Sequence, residues 1–252
     1  MIDVVTWGVA GAAVGAGLPG RAWLGASRGG AVDLDALALA NRVVGNPPGA
    51  PALETSGGLV VRVASAALVA VTGALVDLSV EGGPPLGWGA ATLLPQGAVL
   101  RVGRLLDGAR AYVAVRGGMD GRVSPLAAPL VHPLPRPARR TTVHVWPGPR
   151  LDWFAAGAWE ALLAGPLEVT STSRVGTRCS GPVLHRVRDG ELPSEGLVEG
   201  AVQVPPDGRP IVMLADHPTT GGYPVIAIVD PADLGVVAQA PAGSHLHLVA
   251  AR

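Results

Sequence analysis

Thirty-six glycines and 24 prolines are scattered along the 252 residues, leaving few stretches in which a long helix could run. Proline removes a backbone donor, and glycine costs a helix interior roughly 0.5–1 kcal/mol relative to alanine. A chain punctuated this often is expected to fold as short strands joined by tight turns. Leu59–Val63 and the runs 67–71, 99–102 and 111–115 fit that expectation. Each is short, rich in β-branched residues and bounded by Gly or Pro. Their spacing predicts a mainly β protein, a barrel or a sandwich.

Two segments carry helical spacing instead. Residues 33–44 place Leu34, Leu37, Ala38 and Asn41 on one side behind an Asp33 cap, and 151–164 reads similarly, so each predicts a short helix. The proline-rich stretch 125–137, followed by Arg139-Arg140, reads as a connection. It divides the chain into an N-terminal β subdomain, 1–135 with the short helix 33–44, and a C-terminal β-barrel subdomain, 136–252.

Composition narrows the function classes. With 48% hydrophobic residues the chain can bury a substantial core. Its 19 basic residues are all arginine and are balanced by 19 acidic ones, with no basic block suited to nucleic acid or anionic lipid. Cys179 is the single cysteine, which fits a reducing compartment and reads as a small buried apolar side chain. The apolar start carries Asp3 and many glycines without a positive leader, and no apolar run reaches the roughly 18 residues of a membrane span. A soluble, cytoplasmic protein is expected.

The clearest local signal is 198–204, then Pro205-Pro206-Asp207-Gly208-Arg209, then 210–214. Proline presets φ, glycine accepts positive φ, and the apolar runs on either side pair as a hairpin. Placing Val204 opposite about residue 210 puts Glu195 opposite about residue 219. Ser194-Glu195-Gly196 and the stretch Leu214-Ala215-Asp216-His217-Pro218-Thr219-Thr220-Gly221-Gly222-Tyr223-Pro224 then meet at one open end. Carboxylates, hydroxyls and glycine amides converge there, as a polar-ligand site requires. The competing reading is two ordinary connections whose Ser and Thr satisfy local backbone groups.

Ser194-Glu195-Gly196, the block from Gly200 through Gly208, and Asp216 through Pro224 resemble the family of the C subunit of ATP-dependent 5-oxoprolinase. It is also called allophanate hydrolase subunit 2, and it includes an antagonist of a sporulation kinase inhibitor. Arg174-Val175-Gly176-Thr177-Arg178, Gly181-Pro182, Thr72-Gly73-Ala74, Gly117-Gly118-Met119-Asp120 and Gly29-Gly30-Ala31-Val32-Asp33 onward to Leu53-Glu54 extend the likeness. The resemblance implies a cyclophilin-like β-barrel architecture. It also implies a carboxyltransferase-like C subunit working beside the A subunit, with a kinase-inhibitor-like B-subunit homologue, to hydrolyse 5-oxoproline to glutamate with ATP. Related domains of urea carboxylase handle carboxybiotin and urea, which makes biotin and a urea- or amide-carboxylating role the alternative.

The sequence departs from the family where relatives carry a polar Thr-Val-Gln-Asp turn: it reads Gly11-Ala12-Ala13-Val14-Gly15-Ala16-Gly17-Leu18. Gly29 stands where relatives have Ser, and Arg122-Val123-Ser124-Pro125 replaces a longer Gly-Ser-Arg-Ser loop. Losing hydroxyls, an amide and a guanidinium together weakens a site that must hold a polar substrate. A regulatory or scaffold partner of the B subunit, without chemistry of its own, is therefore the competing expectation.

Residue by residue, Glu195 and Asp216 are the candidate catalytic carboxylates, set to polarise or deprotonate an amide. Thr219, Thr220, Gly221 and Gly222 would bind oxygen or phosphate-like groups, and Tyr223 would stack on or hydrogen-bond to a flat ring. Gln203 joins the substrate-binding set through the motif it stands in. Asp33 caps its helix or faces the substrate. Asn41 ties down a neighbouring loop or touches substrate, and Glu54 binds ligand or pairs with an arginine. His217 should point away from Asp216 along an extended chain. His245 and His247 share one face without a third ligand, so no metal is expected. The sequence has no Walker loop, no Ser-x-x-Lys and no Gly-x-Ser-x-Gly elbow, so ATP chemistry would need residues from a partner.

Overall fold

In the computed structural model, which describes residues 2–130, 139–188, 190 and 192–252, the chain is mainly β and divides into two compact units. The first comprises Met1–Gly17 and Asp33–Ala138; the second comprises Leu18–Val32 and Arg139–Arg252. Most of the proline-rich stretch, 131–137, lies outside the described residues.

The first unit holds β1 (Ile2–Thr6), β2 (Ala12–Val14), α1 (Leu34–Val44), β3 (Ala52–Thr55), β4 (Leu59–Val63), β5 (Ala67–Glu81), β6 (Thr92–Leu94) and β7 (Val99–Val115). They form one curled seven-stranded sheet along the path β1-β4-β7-β3-β2, with β5 on β7 and β6 on β5. The runs 99–102 and 111–115 are two ends of a single strand, β7, and 67–71 is only the start of β5. The sequence hides this continuity because glycines and polar residues interrupt the apolar pattern. Pairing nevertheless persists through register shifts between Gly73 and Leu78. Leu53, Leu59, Leu94, Leu100 and Val113 are buried in this unit's core.

The second unit holds β8 (Thr142–Pro147), α2 (Ala158–Leu163), β9 (Leu167–Thr172), β10 (Gly176–Ser180), β11 (Glu195–Gly196), β12 (Ala201–Gln203), β13 (Ile211–Met213), β14 (Thr220–Gly221), β15 (Val225–Val229), α3 (Leu234–Ala238) and β16 (His245–Ala250). Seven strands close into a barrel in the order β10-β13-β12-β15-β8-β16-β9. The expected helix over 151–164 is instead a 3-10 turn, Leu151–Trp153, and the short α2, separated at Gly157, whose φ is +83°. The strand expected over 198–204 shrinks to β12 because 198–200 form a turn, with Ala201 donating to the Val198 carbonyl at 3.1 Å. Val143, Val145, Leu167, Val202, Val212, Ile226 and Leu246 fill the barrel, and Val32 joins them.

Candidate functional site

β12 and β13 pair Val202 with Val212 and Gln203 with Ile211, the register that the Pro-Asp-Gly reversal predicts. Gly208 closes the turn at φ +73°. Beyond the hairpin the chains meet again as the two-stranded β11–β14 sheet, in which Glu195 faces Gly221 and Gly196 faces Thr220. Leu197 donates its N–H to the Thr219 carbonyl at 2.9 Å, and Leu192 donates to that of Gly222 at 3.2 Å. The two polar loops thus lie side by side at one rim of the barrel unit.

The close approach at Gly221 involves the ends of two side chains, which a larger residue would have to push aside. A Cβ there would come within 2.7 Å of Gln203 Nε2 and 2.8 Å of Leu197 Cδ1. Gln203 is buried, and its Nε2 donates to the Tyr223 carbonyl at 3.0 Å, so its amide braces the loop it approaches. Thr219 is half-buried, Thr220 is exposed, and Tyr223 presents its ring to solvent.

Each candidate carboxylate is gripped by an arginine. Arg150 donates through Nε to Glu195 Oε2 at 2.9 Å and through Nη2 to Oε1. Arg174 donates through Nε to Asp216 Oδ2 at 2.7 Å and through Nη2 to Oδ1 at 3.1 Å. The carboxylate side chains stay 33% and 37% exposed, leaving room for a polar ligand to reach them. A bidentate guanidinium fixes a carboxylate's plane, so both groups are held in one orientation before any ligand arrives. His217 is buried with its Nδ1 2.7 Å from the Pro218 carbonyl oxygen, while its neighbour Asp216 turns to the arginine.

The remaining candidates, Asp33, Asn41 and Glu54, belong to the first unit. Asp33 caps α1 by accepting from the Ala36 N–H at 2.9 Å. Its own N–H donates to Tyr112 Oη at 2.9 Å, and that hydroxyl donates to Glu54 Oε2 at 2.7 Å. Arg110 Nε lies 4.0 Å from Glu54 Oε1, with both side chains almost fully buried. Burial, then the charges of Glu54 and Asp33, push the Tyr112 phenol well above its ordinary range, so it remains a neutral donor. Asn41 is fully buried; its Nδ2 donates to the Ala50 carbonyl at 2.8 Å and its Oδ1 accepts from Asn46 at 3.2 Å.

Arg150, Arg174, Arg110 and Tyr112 are absent from the candidates drawn from the sequence. Only Arg174 carries a signal there, as the first residue of a stretch that supports the family resemblance. Among the described residues, no three His, Cys, Asp or Glu side chains gather as a metal ion would need, and no helix is long and apolar enough to cross a membrane.

A family model described as the carboxyltransferase domain, subdomain A and B, matches residues 24–125 and 122–250. The chain belongs to this family. It is 34% identical to the C subunit of 5-oxoprolinase from Escherichia coli (strain K12), across 89% of this chain and 83% of that protein. It is 27% identical to the urea amidolyase of Lachancea kluyveri, spanning 92% of this chain but only 16% of that much longer one. Among solved structures it resembles TTHA0988, with a TM-score of 0.84 and 33% identity over 98% of this chain. This carboxyltransferase-family chain spans 55% of TTHA0988's length.

Proposed function

We propose that the chain is the carboxyltransferase-like C subunit of an ATP-dependent 5-oxoprolinase, acting with the A subunit, together with a kinase-inhibitor-like B subunit, to hydrolyse 5-oxoproline to glutamate in the cytoplasm. The observation that carries this reading is the 34% identity to the C subunit of a 5-oxoprolinase over 83% of that relative. The paired loops of the barrel rim are consistent with it. There Glu195 and Asp216 would engage the lactam amide of 5-oxoproline or its activated form. Thr219, Thr220 and the Gly221-Gly222 amides would take its oxygens. ATP is assigned to the assembly rather than to this chain. Purified with the A and B subunits, the chain should release glutamate from 5-oxoproline and ATP. No release, where an intact relative is active under the same conditions, sinks the reading.

A second reading, a scaffold partner of the B subunit, is favoured by the arginine grip on both carboxylates. Their oxygens are already engaged, and the Gly11–Leu18 stretch, which includes β2 rather than forming a turn, lacks the polar groups that the resemblance leads one to expect. Asp216→Asn decides between the two. Retained assembly with unchanged glutamate release supports the scaffold; retained assembly with lost release supports the enzyme. The urea amidolyase likeness leaves a third role, as a urea- or amide-carboxylating component. These 252 residues contain no lysine, so they offer no attachment point for biotin in that role.

A further inference from the structure

Residues 18–32 pack with the barrel unit although they lie far from it in sequence. This strap has an exposed tip and a fastened end. At the tip, the 3-10 turn Ala22–Leu24 has no buried residue, and Trp23 is 82% exposed. At the other end Ala31 and Val32 are buried, and the Gly29 N–H donates to the Ala215 carbonyl at 3.0 Å.

Two arginine forks hold the fastened end, and they are built alike. Arg28 donates through Nε and Nη2 to Glu199 Oε2 and Oε1, both at 2.8 Å, and its Nη2 also reaches the Ala31 carbonyl at 3.0 Å. Arg174 grips Asp216 in the same bidentate way, and its Nη2 also reaches the Gly30 carbonyl at 2.6 Å. Consecutive strap carbonyls are thus bound by two guanidiniums, each locked on a different carboxylate. Gly29 and Gly30, at φ +60° and +72°, supply the backbone turn that presents them. The Arg28–Glu199 pair is largely shielded, each side chain 15% exposed, so removing one partner leaves the other charge poorly hydrated.

We propose that Arg28 and Glu199 are positioning residues. Their ion pair fastens the strap to the barrel, and through the Gly30 and Ala31 carbonyls it holds the Arg174–Asp216 fork in the geometry the rim presents. Asp216 would touch the substrate; Glu199 acts on it only through the strap. The mechanical part stands on the contacts alone. The consequence for substrate binding rests on the function proposed above.

Hydrogen exchange on the intact chain tests the mechanical part. Glu199→Gln should speed exchange roughly tenfold in 18–32 and in 214–217, with β12 and β15 unchanged. Arg28→Ala, which alters the strap and no barrel strand, should do the same. Unchanged exchange at 214–217 in both variants, or uniform acceleration through the barrel strands, overturns the proposal. In the reconstituted assembly, Glu199→Gln should raise KM for 5-oxoproline roughly fivefold while kcat stays within about twofold, whereas a folding defect would lower kcat instead. An unchanged KM also overturns it. If the wild-type assembly releases no glutamate, the functional reading falls and exchange alone judges the latch.

Discussion

Tyr112 shows how one side chain can join a helix start to a strand. Its hydroxyl accepts from the Asp33 N–H and donates to Glu54, with Tyr112 and Glu54 essentially sealed from water. Tyr112→Phe keeps the ring and deletes both bonds. It should cost roughly 1–3 kcal/mol, because buried partners lose a hydrogen bond without regaining water. Urea unfolding reads this directly, and a loss below about 0.5 kcal/mol would mean the network is not a unit. Asp233 gives a pH-dependent counterpart in the barrel unit. Burial pushes its carboxyl up, but hydrogen bonds from the His144 backbone and ring and the Arg140 guanidinium outweigh this and hold it below the ordinary 3.8. A depressed folded pKa stabilises the fold above the unfolded value, and that stability is lost as the pH falls through the folded one. Asp233→Asn should therefore flatten the decline in stability below about pH 4, measured as urea midpoint against pH. An unaltered slope would show that Asp233 titrates alike in both states.

At the scale of elements, the hairpin was legible because its signal is local. Pro205 to Gly208 set the reversal and the β12–β13 register. A constant sum of paired positions puts residue 219 opposite Glu195, whereas Glu195 pairs with Gly221, because the two segments outside the strands differ in length by two residues, 197–200 against 214–219. Helix α1 and its Asp33 cap were legible because their signal is local too, but the buried face was only half read. Leu37 and Asn41 are buried as expected, whereas Leu34 is exposed and Ala36, Ala40, Val43 and Val44 complete the face. The long β5–β7 ribbon was not legible, since strand continuity across Gly73, Gly103 and Gly108 is decided by the partner strand rather than by the run itself. Nor were the arginine forks. Arg174 reaches Asp216 across 42 positions and Arg28 reaches Glu199 across 171, and nothing in the neighbourhood of either arginine announces its partner. The turn itself makes a sharp prediction. A Cβ on Gly208 would meet Val183 Cγ1 at 2.7 Å and Leu184 N at 3.2 Å, at a positive φ that L side chains resist. Gly208→Ala should destabilise the barrel unit by roughly 1–3 kcal/mol, seen as a lower thermal midpoint. An unchanged midpoint would mean the 183–184 segment yields freely.

For the whole molecule, the decisive feature is that the barrel unit is discontinuous in sequence: its 18–32 strap precedes most of the other unit. A cut in the chain between the units at about residue 138 therefore does not yield two complete pieces. The fragment 139–252 would lack Val32, which belongs to the barrel core, and would leave Glu199 without Arg28 and Arg174 without the Gly30 carbonyl. Losing a buried valine alone removes about 1.5–3 kcal/mol of apolar burial. A shielded carboxylate without its arginine adds to that loss. Fusing 18–32 to the start of 139–252 through a flexible Gly/Ser linker restores the strap while omitting the first unit's sheet. The fused chain should unfold at a clearly higher urea concentration than 139–252 alone, with the difference shrinking when Val32 is replaced by Ala. Equal midpoints for the two would show that the barrel closes without its strap. Residues 18–32 would then contribute to the rim but not to the stability of the fold beneath it.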